Sequence, residues 1–164
     1  MNYIESEIRR QDRLLEYSNA IELLRNCEYG VLSMQAGDDG AYGIPVNYVW
    51  DDELSIYIHC APEGRKLRCI TSCDRVSFCV VGSTRVIPDK FTTEYESVVL
   101  ACTAHTHLPE EERRRALSLL IGKYSPEYTE TGLQYAEKSF HRTEVIRLDI
   151  VSASGKCKRV PEKR

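Results

Sequence analysis

The sequence has no hydrophobic run of the length that crosses a bilayer. Its apolar stretches, such as SVVLACTA at 97–104, are far shorter than the roughly 20 residues that a transmembrane helix needs. The first ten residues, MNYIESEIRR, contain acidic side chains and lack the apolar core of a secretory signal peptide. We therefore predict a cytoplasmic protein without a membrane partner.

The sequence also lacks an excess of positive charge. It has 22 Lys and Arg against 25 Asp and Glu, a formal net charge of -3, and no basic face recurs along the chain. Nucleic acid is therefore not expected as a partner. Hydrophobic residues make up 42% and charged residues 29% of the 164 residues, as in folded globular proteins. This length predicts one domain over 1–164, with a frayed basic tail at about 156–164.

Familiar catalytic and metal-binding motifs are missing as well. There is no P-loop, G-x-S-x-G elbow or H-E-x-x-H sequence, which argues against kinases and hydrolases. His105 and His107 share a predicted strand face, but no further ligands follow at a recognisable spacing, so a metal site is not predicted. The seven cysteines, an odd number without a disulfide-like pattern, are expected to be reduced thiols.

Turn residues and alternating apolar positions divide the chain into about six strands with helices between them. The predicted strands are GVLSMQ, GIPVNYVW, LSIYIHC, RVSFCVVG, ESVVLACTAHTH and TEVIRLDIVSASG. The first two should form a hairpin. Helices are predicted after a cap at Asn19, from about Glu63 to Cys73, and from Pro109 and Ser125 onward. The fold class is therefore mainly β with flanking helices (α+β), a small antiparallel barrel.

The stretch YIHCAPEGRK at 57–66 places a glycine and two cations directly after a predicted strand. A helix that begins near Glu63 presents unpaired backbone N–H groups, and Gly64 lets an anion approach them closely. Arg65 can bind a phosphate through two parallel hydrogen bonds, while Lys66 adds a mobile point charge. The stretch therefore suits a terminal phosphate monoester. The alternative is a solvated Gly-Arg-Lys turn.

Two strands precede Gly64, PVNY at 45–48 and YIHC at 57–60, and they are predicted to pair across the WDDEL turn. They would form a wall for a flat, partly apolar ligand, with Asn47 as donor and acceptor, although Asn47 equally suits a turn or a sheet edge. His59 is either a hydrogen-bonding group or general acid over that ligand, or a structural histidine. Cys60 should point to the opposite strand face, so a Cys-His nucleophilic pair is not expected.

The order of these segments resembles the flavin-binding split-barrel proteins related to pyridoxamine 5'-phosphate oxidase, in particular their nitroimidazole-resistance reductase branch. The resemblance covers nearly the whole chain, and IPVNY followed by IYIHCAPEGRK is its most specific part. It implies a six-stranded antiparallel split β-barrel of the FMN-binding type. It also implies a homodimer that holds two FMN molecules, or sometimes FAD, at the subunit interface.

The resemblance further implies which residues contact the flavin. The positions expected to border its isoalloxazine ring, ribityl chain and phosphate are Pro45, Val46, Asn47, Tyr48, His59, Cys60, Gly64, Arg65 and Lys66. Ser97 would approach the flavin from the partner subunit or from a neighbouring strand. His59 matches a histidine that lies near the flavin in the nitroimidazole-reductase branch, and is the candidate catalytic residue.

These features predict a flavin-dependent oxidoreductase that passes electrons from NAD(P)H or another donor to a small planar acceptor such as a nitroheteroaromatic compound. The end of the chain, GKCKRVPEKR, does not match the arginine-containing segment of pyridoxamine phosphate oxidases proper, so vitamin B6 oxidation is not expected. A second interpretation is a non-catalytic flavin-binding carrier or sensor with the same fold.

Overall fold

Seven β-strands form one antiparallel sheet in the computed structural model, which describes residues 1–6 and 8–161. The strands are β1 (Tyr29–Gln35), β2 (Ala41–Asn47), β3 (Val49–Trp50), β4 (Ser55–Cys60), β5 (Arg75–Ile87), β6 (Thr92–His105) and β7 (Glu144–Lys158). The α-helices are α1 (Tyr17–Asn26), α2 (Arg65–Ser72), α3 (Glu110–Tyr124) and α4 (Thr129–Ser139). Within the described residues, no helix is long and apolar enough to cross a membrane.

The strands are arranged in the order β2-β1-β5-β6-β7-β4-β3. This antiparallel sheet with flanking helices confirms the predicted fold class and the β1–β2 hairpin. The prediction of a six-stranded barrel is wrong, because the segment GIPVNYVW is divided at Tyr48 into β2 at one sheet edge and β3 at the other. Among the described residues no hydrogen-bonded ladder closes the sheet. A single residue, Tyr48, joins its two edges.

Tyr48 is fully buried where the chain crosses between the sheet edges. Its ring packs edge-to-face against Phe78, with centroids 5.0 Å apart, and its hydroxyl donates to the Leu24 carbonyl at 2.9 Å. Its backbone N–H donates to the Tyr124 hydroxyl at 3.0 Å, and its carbonyl oxygen lies 2.7 Å from the same hydroxyl. Because a side chain of α3 satisfies this peptide group, the crossing leaves no buried backbone group unpaired.

Two apolar layers lie on opposite sides of the sheet. The inner face packs against α1 and α2. The fully buried side chains of this layer include Leu24 of α1 and, on the sheet, Leu32, Ile58, Phe78 and Leu100. The second layer packs α3 against β3, β4 and the start of β7; its buried residues are Val49, Tyr57, Leu108, Ala116, Leu117, Leu120, Phe140 and Val145. The helical pair α3–α4 thus covers the outer side of one half of the sheet.

Two predicted helix starts are displaced. Helix α1 begins at Tyr17, so Asn19 lies inside its first turn and the N-cap is Glu16, which makes no side-chain capping bond. Burial of apolar residues of α1 against the sheet outweighs the local capping signal. Helix α2 begins two residues later than predicted, at Arg65, with Gly64 as its N-cap.

The basic C-terminal segment is part of the sheet up to residue 158, contrary to the predicted frayed tail at 156–164. Beyond the strand, Arg159 forms an ion pair with Glu96, and the Val160 N–H donates to Glu94 at 2.6 Å. Acidic side chains of β6 therefore hold residues that composition alone indicated as solvated. Residues 162–164 lie outside the described part of the chain.

Candidate functional site

The start of α2 lies between the end of β4 and the turn that joins β1 to β2. Gly64 has a φ of 156°, a backbone conformation that favours glycine, and no side chain caps the helix. A Cβ placed on Gly64 would meet no atom within 4 Å. The predicted approach of an anion to the first backbone N–H groups of α2 is therefore sterically open.

Arg65 and Lys66 point in different directions, because consecutive helical residues are about 100° apart around the axis. The Arg65 guanidinium lies 4.4 Å from the centroid of the Tyr42 ring and 3.4 Å from the Asp39 carboxylate. This ion pair is largely exposed and hence weak, so the guanidinium is available to a stronger anionic partner. Lys66, in contrast, lies near the end of β4.

The positive charge of Lys66 affects the pKa values of His59 and Cys60. Burial lowers the pKa of His59 below its usual value, and the Lys66 charge lowers this pKa further. Burial raises the pKa of the Cys60 thiol, which the charge of Lys66 partly opposes. At neutral pH the imidazole is thus uncharged and the thiol protonated. Cys60 packs against the inner core whereas His59 is exposed, in line with the opposite strand faces expected for the two side chains.

Side chains of β2 alternate between the two faces of the sheet. Val46 faces inward and packs against the inner core, whereas Pro45 and Asn47 are exposed on the outer face. Asn47 donates to the Glu28 carbonyl at 3.0 Å. Of the four consecutive residues predicted to border a flavin, Pro45 and Asn47 present side chains. Val46 and Tyr48 could offer backbone atoms only, and those of Tyr48 already bond to Tyr124.

The predicted pairing of PVNY with YIHC is wrong. Pro45 and Asn47 pair with β1, while Val49 and Trp50 of β3 pair with β4. The ends of β2 and β4 nevertheless meet, because Asn47, His59 and Cys60 line one groove. Residues of both predicted strands therefore border one groove, but they come from β2 and β4, which do not pair with each other.

This groove has a volume of about 1030 Å³ and separates the strand ends from α3 and α4. Its helical side is lined by apolar and aromatic side chains, among them Leu120, Ile121, Tyr124, Tyr128 and Tyr135. The helical side was not predicted, because the charges of α3 indicate a solvent-facing helix. The sequence signal that could have revealed it is the series of tyrosines at 124, 128 and 135.

Ser97 does not join this site within one chain. It lies on the central strand β6, where it pairs with Val81 of β5 and Lys156 of β7. One strand separates β6 from β4, and two strands separate it from β2. Contact with a ligand on the wall therefore requires Ser97 of a second copy of the chain.

Comparison with known proteins identifies the family. Residues 16–157 match the family model described as pyridoxamine 5'-phosphate oxidase. The chain belongs to this family. The matched span includes β2, the end of β4, the start of α2 and the helical pair α3–α4, so it contains every element of the candidate site.

Several solved structures share the fold at low sequence identity. A protein named for proposed 5-nitroimidazole antibiotic resistance, from Bacteroides thetaiotaomicron, is 15% identical, with a TM-score of 0.71 over 88% of this chain and 86% of that one. An FAD-binding protein from Mesorhizobium loti is 21% identical, with a TM-score of 0.63 over 90% and 98% of the two chains. An FAD and heme binding protein from Mycobacterium smegmatis is 17% identical, with a TM-score of 0.74 over 93% and 76%. Among curated proteins, no sequence matches the chain significantly.

His105 and His107 contact two different carboxylates. His105 Nε2 lies 3.0 Å from an Asp149 oxygen, and His107 Nδ1 lies 3.5 Å from a Glu144 oxygen. His107 follows the end of β6 with a φ of 56°, so the two histidines do not share a strand face as predicted. Over residues 1–6 and 8–161, no group of three or more His, Cys, Asp or Glu side chains is placed to hold a metal.

Lys123 and Tyr124 fasten the end of α3 to the crossing at Tyr48. Lys123 Nζ donates to the Cys27 carbonyl at 2.8 Å and lies 3.9 Å from the centroid of the Tyr48 ring. Burial lowers the pKa of Lys123 to about 8. The Tyr124 hydroxyl also contacts the Glu28 carbonyl. These two residues fix the helical side of the groove relative to its strand side.

Proposed function

We propose that the protein is a flavin-dependent oxidoreductase that reduces a small planar acceptor such as a nitroheteroaromatic compound. The observation that carries the proposal is the position of Lys66, in the first turn of the uncapped helix α2, near His59 of the wall. A phosphate at the helix start would leave the rest of a nucleotide free to extend along this wall. Family membership and the shared fold of proteins named for FAD binding support the proposal.

The described residues fit a flavin nucleotide. The open space at Gly64 admits an anion to backbone N–H groups. Pro45 and Asn47 offer an exposed, partly apolar surface for a flat ring system. The start of α2, with Arg65 and Lys66, suits a terminal phosphate monoester, so FMN is the proposed cofactor. FAD is the alternative, and mass analysis of the released ligand would distinguish the two.

A bound flavin would supply the electron chemistry, taking two electrons from NAD(P)H and passing them to the acceptor. The residues of the chain would bind and orient it. His59 would offer a hydrogen bond from a neutral imidazole rather than a positive charge, because burial and Lys66 lower its pKa. The helical pair α3–α4 would limit the access of water to the wall.

The proposal extends to a homodimer. A row of paired positions runs across the outer face of five strands and consists of Pro45, Val31, Cys79, Val99 and Ser154. Val81 and Val99 are 47% and 43% exposed there. A second copy that covers this face would remove apolar surface from water and could bring its own Ser97 towards the wall.

The visible absorption spectrum of the purified protein tests flavin binding. We expect a yellow protein whose band disappears when NADH or NADPH is added without oxygen, and returns when a nitroimidazole is added. A protein that stays colourless after incubation with excess FMN or FAD would refute flavin binding. A flavin that binds but is reduced by neither donor would instead favour the carrier or sensor interpretation.

A further inference from the structure

The groove between the strand ends and the helical pair α3–α4 has more volume than a ligand that contacts only its strand side would occupy. Its volume of about 1030 Å³ is at the upper end of the range of about 300–1,000 Å³ that is usual for small-molecule sites. Asn47, His59 and Cys60 form only its strand side. The helical side is therefore free to contact a second molecule next to the flavin.

The charged group that lines the groove is a cation. Arg142 lines it, whereas no aspartate or glutamate within residues 1–6 and 8–161 does so. Cys60 of β4 pairs with Glu144 at the start of β7, so the backbone of Arg142, two residues earlier, lies near the end of β4. Lys66 adds a second positive charge near the same strand end. The Glu144 carboxylate also lies there, but it does not line the groove and contacts Arg113 and His107. An anionic group is thus favoured on the strand side of the groove.

The helical side offers aromatic rings to a ligand. Tyr128 and Tyr135 both line the groove and are 67% and 66% exposed, so their rings are not used in the core. Tyr124 adds a third ring, which is held in place by its hydrogen bonds to Tyr48. Aromatic rings of this kind stack on flat ligands in offset or edge-to-face geometry.

We infer that the groove binds a planar aromatic carboxylate, with the carboxylate at Arg142 and the ring against Tyr128 and Tyr135. An arginine forms two parallel hydrogen bonds with a carboxylate, which a neutral analogue cannot reproduce. The identification of this ligand as the acceptor rests on the proposed flavin function, because Asn47 and His59 belong to both the flavin wall and the groove. Binding in the groove itself requires no flavin.

Isothermal titration calorimetry of the full chain with 2-naphthoate and its neutral analogue 2-naphthamide tests the inference. Flavin-free wild-type protein should bind 2-naphthoate at least about tenfold more tightly than the amide. Arg142→Gln should weaken 2-naphthoate binding at least about tenfold and leave 2-naphthamide unchanged. Arg115→Gln is the matched control, because this exposed arginine of α3 does not line the groove.

A steric variant tests the location of the site independently. Thr131 is exposed and lines the groove, between Tyr128 and Tyr135 in the chain. Thr131→Trp should therefore place an indole over the proposed ring site and weaken binding of both probes at least about tenfold, without changing the thermal unfolding of the protein. Equal affinity for the two probes, or an unchanged Arg142→Gln variant, would overturn the carboxylate site. So would tight binding to Thr131→Trp.

The flavin-loaded protein separates this inference from the proposed function. 2-Naphthoate bound next to the flavin should shift the wavelength of the visible flavin band, because both ligands would contact Asn47 and His59. A band that does not move while 2-naphthoate binds would overturn the assignment of the groove to the acceptor. If no flavin binds but 2-naphthoate binds through Arg142, the proposed function fails and the carboxylate site stands.

Discussion

Arg65 and Lys66 differ in the existing contacts that each would lose on binding a phosphate. Arg65 would leave an exposed pair with Asp39, and Lys66 would stay near the end of β4. We expect Arg65→Ala/Lys66→Ala to lower flavin affinity at least about 100-fold, because charge-assisted bonds are each worth about 1.5–3 kcal/mol. Visible absorbance per polypeptide after gel filtration measures the occupancy.

The fold of this double variant should remain intact, because neither side chain belongs to the apolar core. Arg115→Ala/Lys138→Ala, which removes the same charges from α3 and α4, is the matched control and should retain flavin. Full flavin occupancy in Arg65→Ala/Lys66→Ala would contradict the phosphate assignment.

Lys123 should make stability depend on pH in alkaline solution. Its pKa is about 8 in the folded protein and 10.5 ordinarily, so the unfolded chain binds more protons between these pH values. Stability therefore rises with pH across this window. We expect the unfolding free energy of wild type relative to Lys123→Met to increase by about 1–2 kcal/mol between pH 8 and 10.5, after allowance for solvent screening.

Urea unfolding of both proteins at several pH values measures this difference and cancels the titration of the thiols that they share. The corresponding substitution at an exposed lysine of α4, Lys138→Met, is the control. A difference between wild type and Lys123→Met that is constant with pH would show that burial does not perturb the ammonium group.

At the scale of elements, α3 stabilises the crossing between β2 and β3 through one hydroxyl. Tyr124→Phe removes the acceptor of the buried Tyr48 N–H while retaining the ring. We expect a loss of about 1–3 kcal/mol in unfolding free energy, because a buried donor is left without a partner. Urea denaturation measures the loss.

Tyr128→Phe is the control for this substitution, because Tyr128 is 67% exposed and its ring lies on the neighbouring segment. Equal stability of Tyr124→Phe and wild type would mean that water replaces the hydroxyl at the crossing.

Strand alternation limits the sequence prediction around PVNY. The period of two places Pro45 and Asn47 on one face and Val46 on the other, so the four residues that the resemblance implies cannot all present side chains to one ligand. The division of the strand at Tyr48 depends on a hydroxyl 76 residues away in the chain. No local pattern of apolar and polar residues contains that information.

The helical side of the groove was unpredictable for a related reason. The charged start of α3 indicates solvent exposure, and Glu110 and Arg114 form an ion pair there. The opposite side of the same helix carries Leu117 and Leu120 into the second apolar layer. Only the position of α4 decides that Tyr128 and Tyr135 border a groove rather than open solvent.

At the scale of the whole molecule, the exposed outer face of β5 and β6 is the proposed dimer interface. Val99→Lys would place an unpaired ammonium group from each copy in that interface, which is costly when it is desolvated. We expect the dissociation constant of the dimer to rise at least about tenfold, measured by sedimentation equilibrium. Flavin occupancy should fall as the dimer dissociates, because each flavin site would lose its contacts with the partner subunit.

Leu133→Lys is the matched control for dimerisation, since Leu133 is 42% exposed on α4, away from this face. A dimer of Val99→Lys as tight as the wild-type dimer would exclude the outer face of β6 as the interface.

The single-residue crossing has a consequence for measuring motion in the protein. The amide hydrogen of Tyr48 is bonded to a helix side chain rather than to a strand, so its exchange with deuterium requires α3 to move away from the sheet edges. Neighbouring amides in the β1–β2 ladder exchange only when strands separate. The ratio of the two exchange rates therefore measures how often the groove opens without unfolding of the sheet.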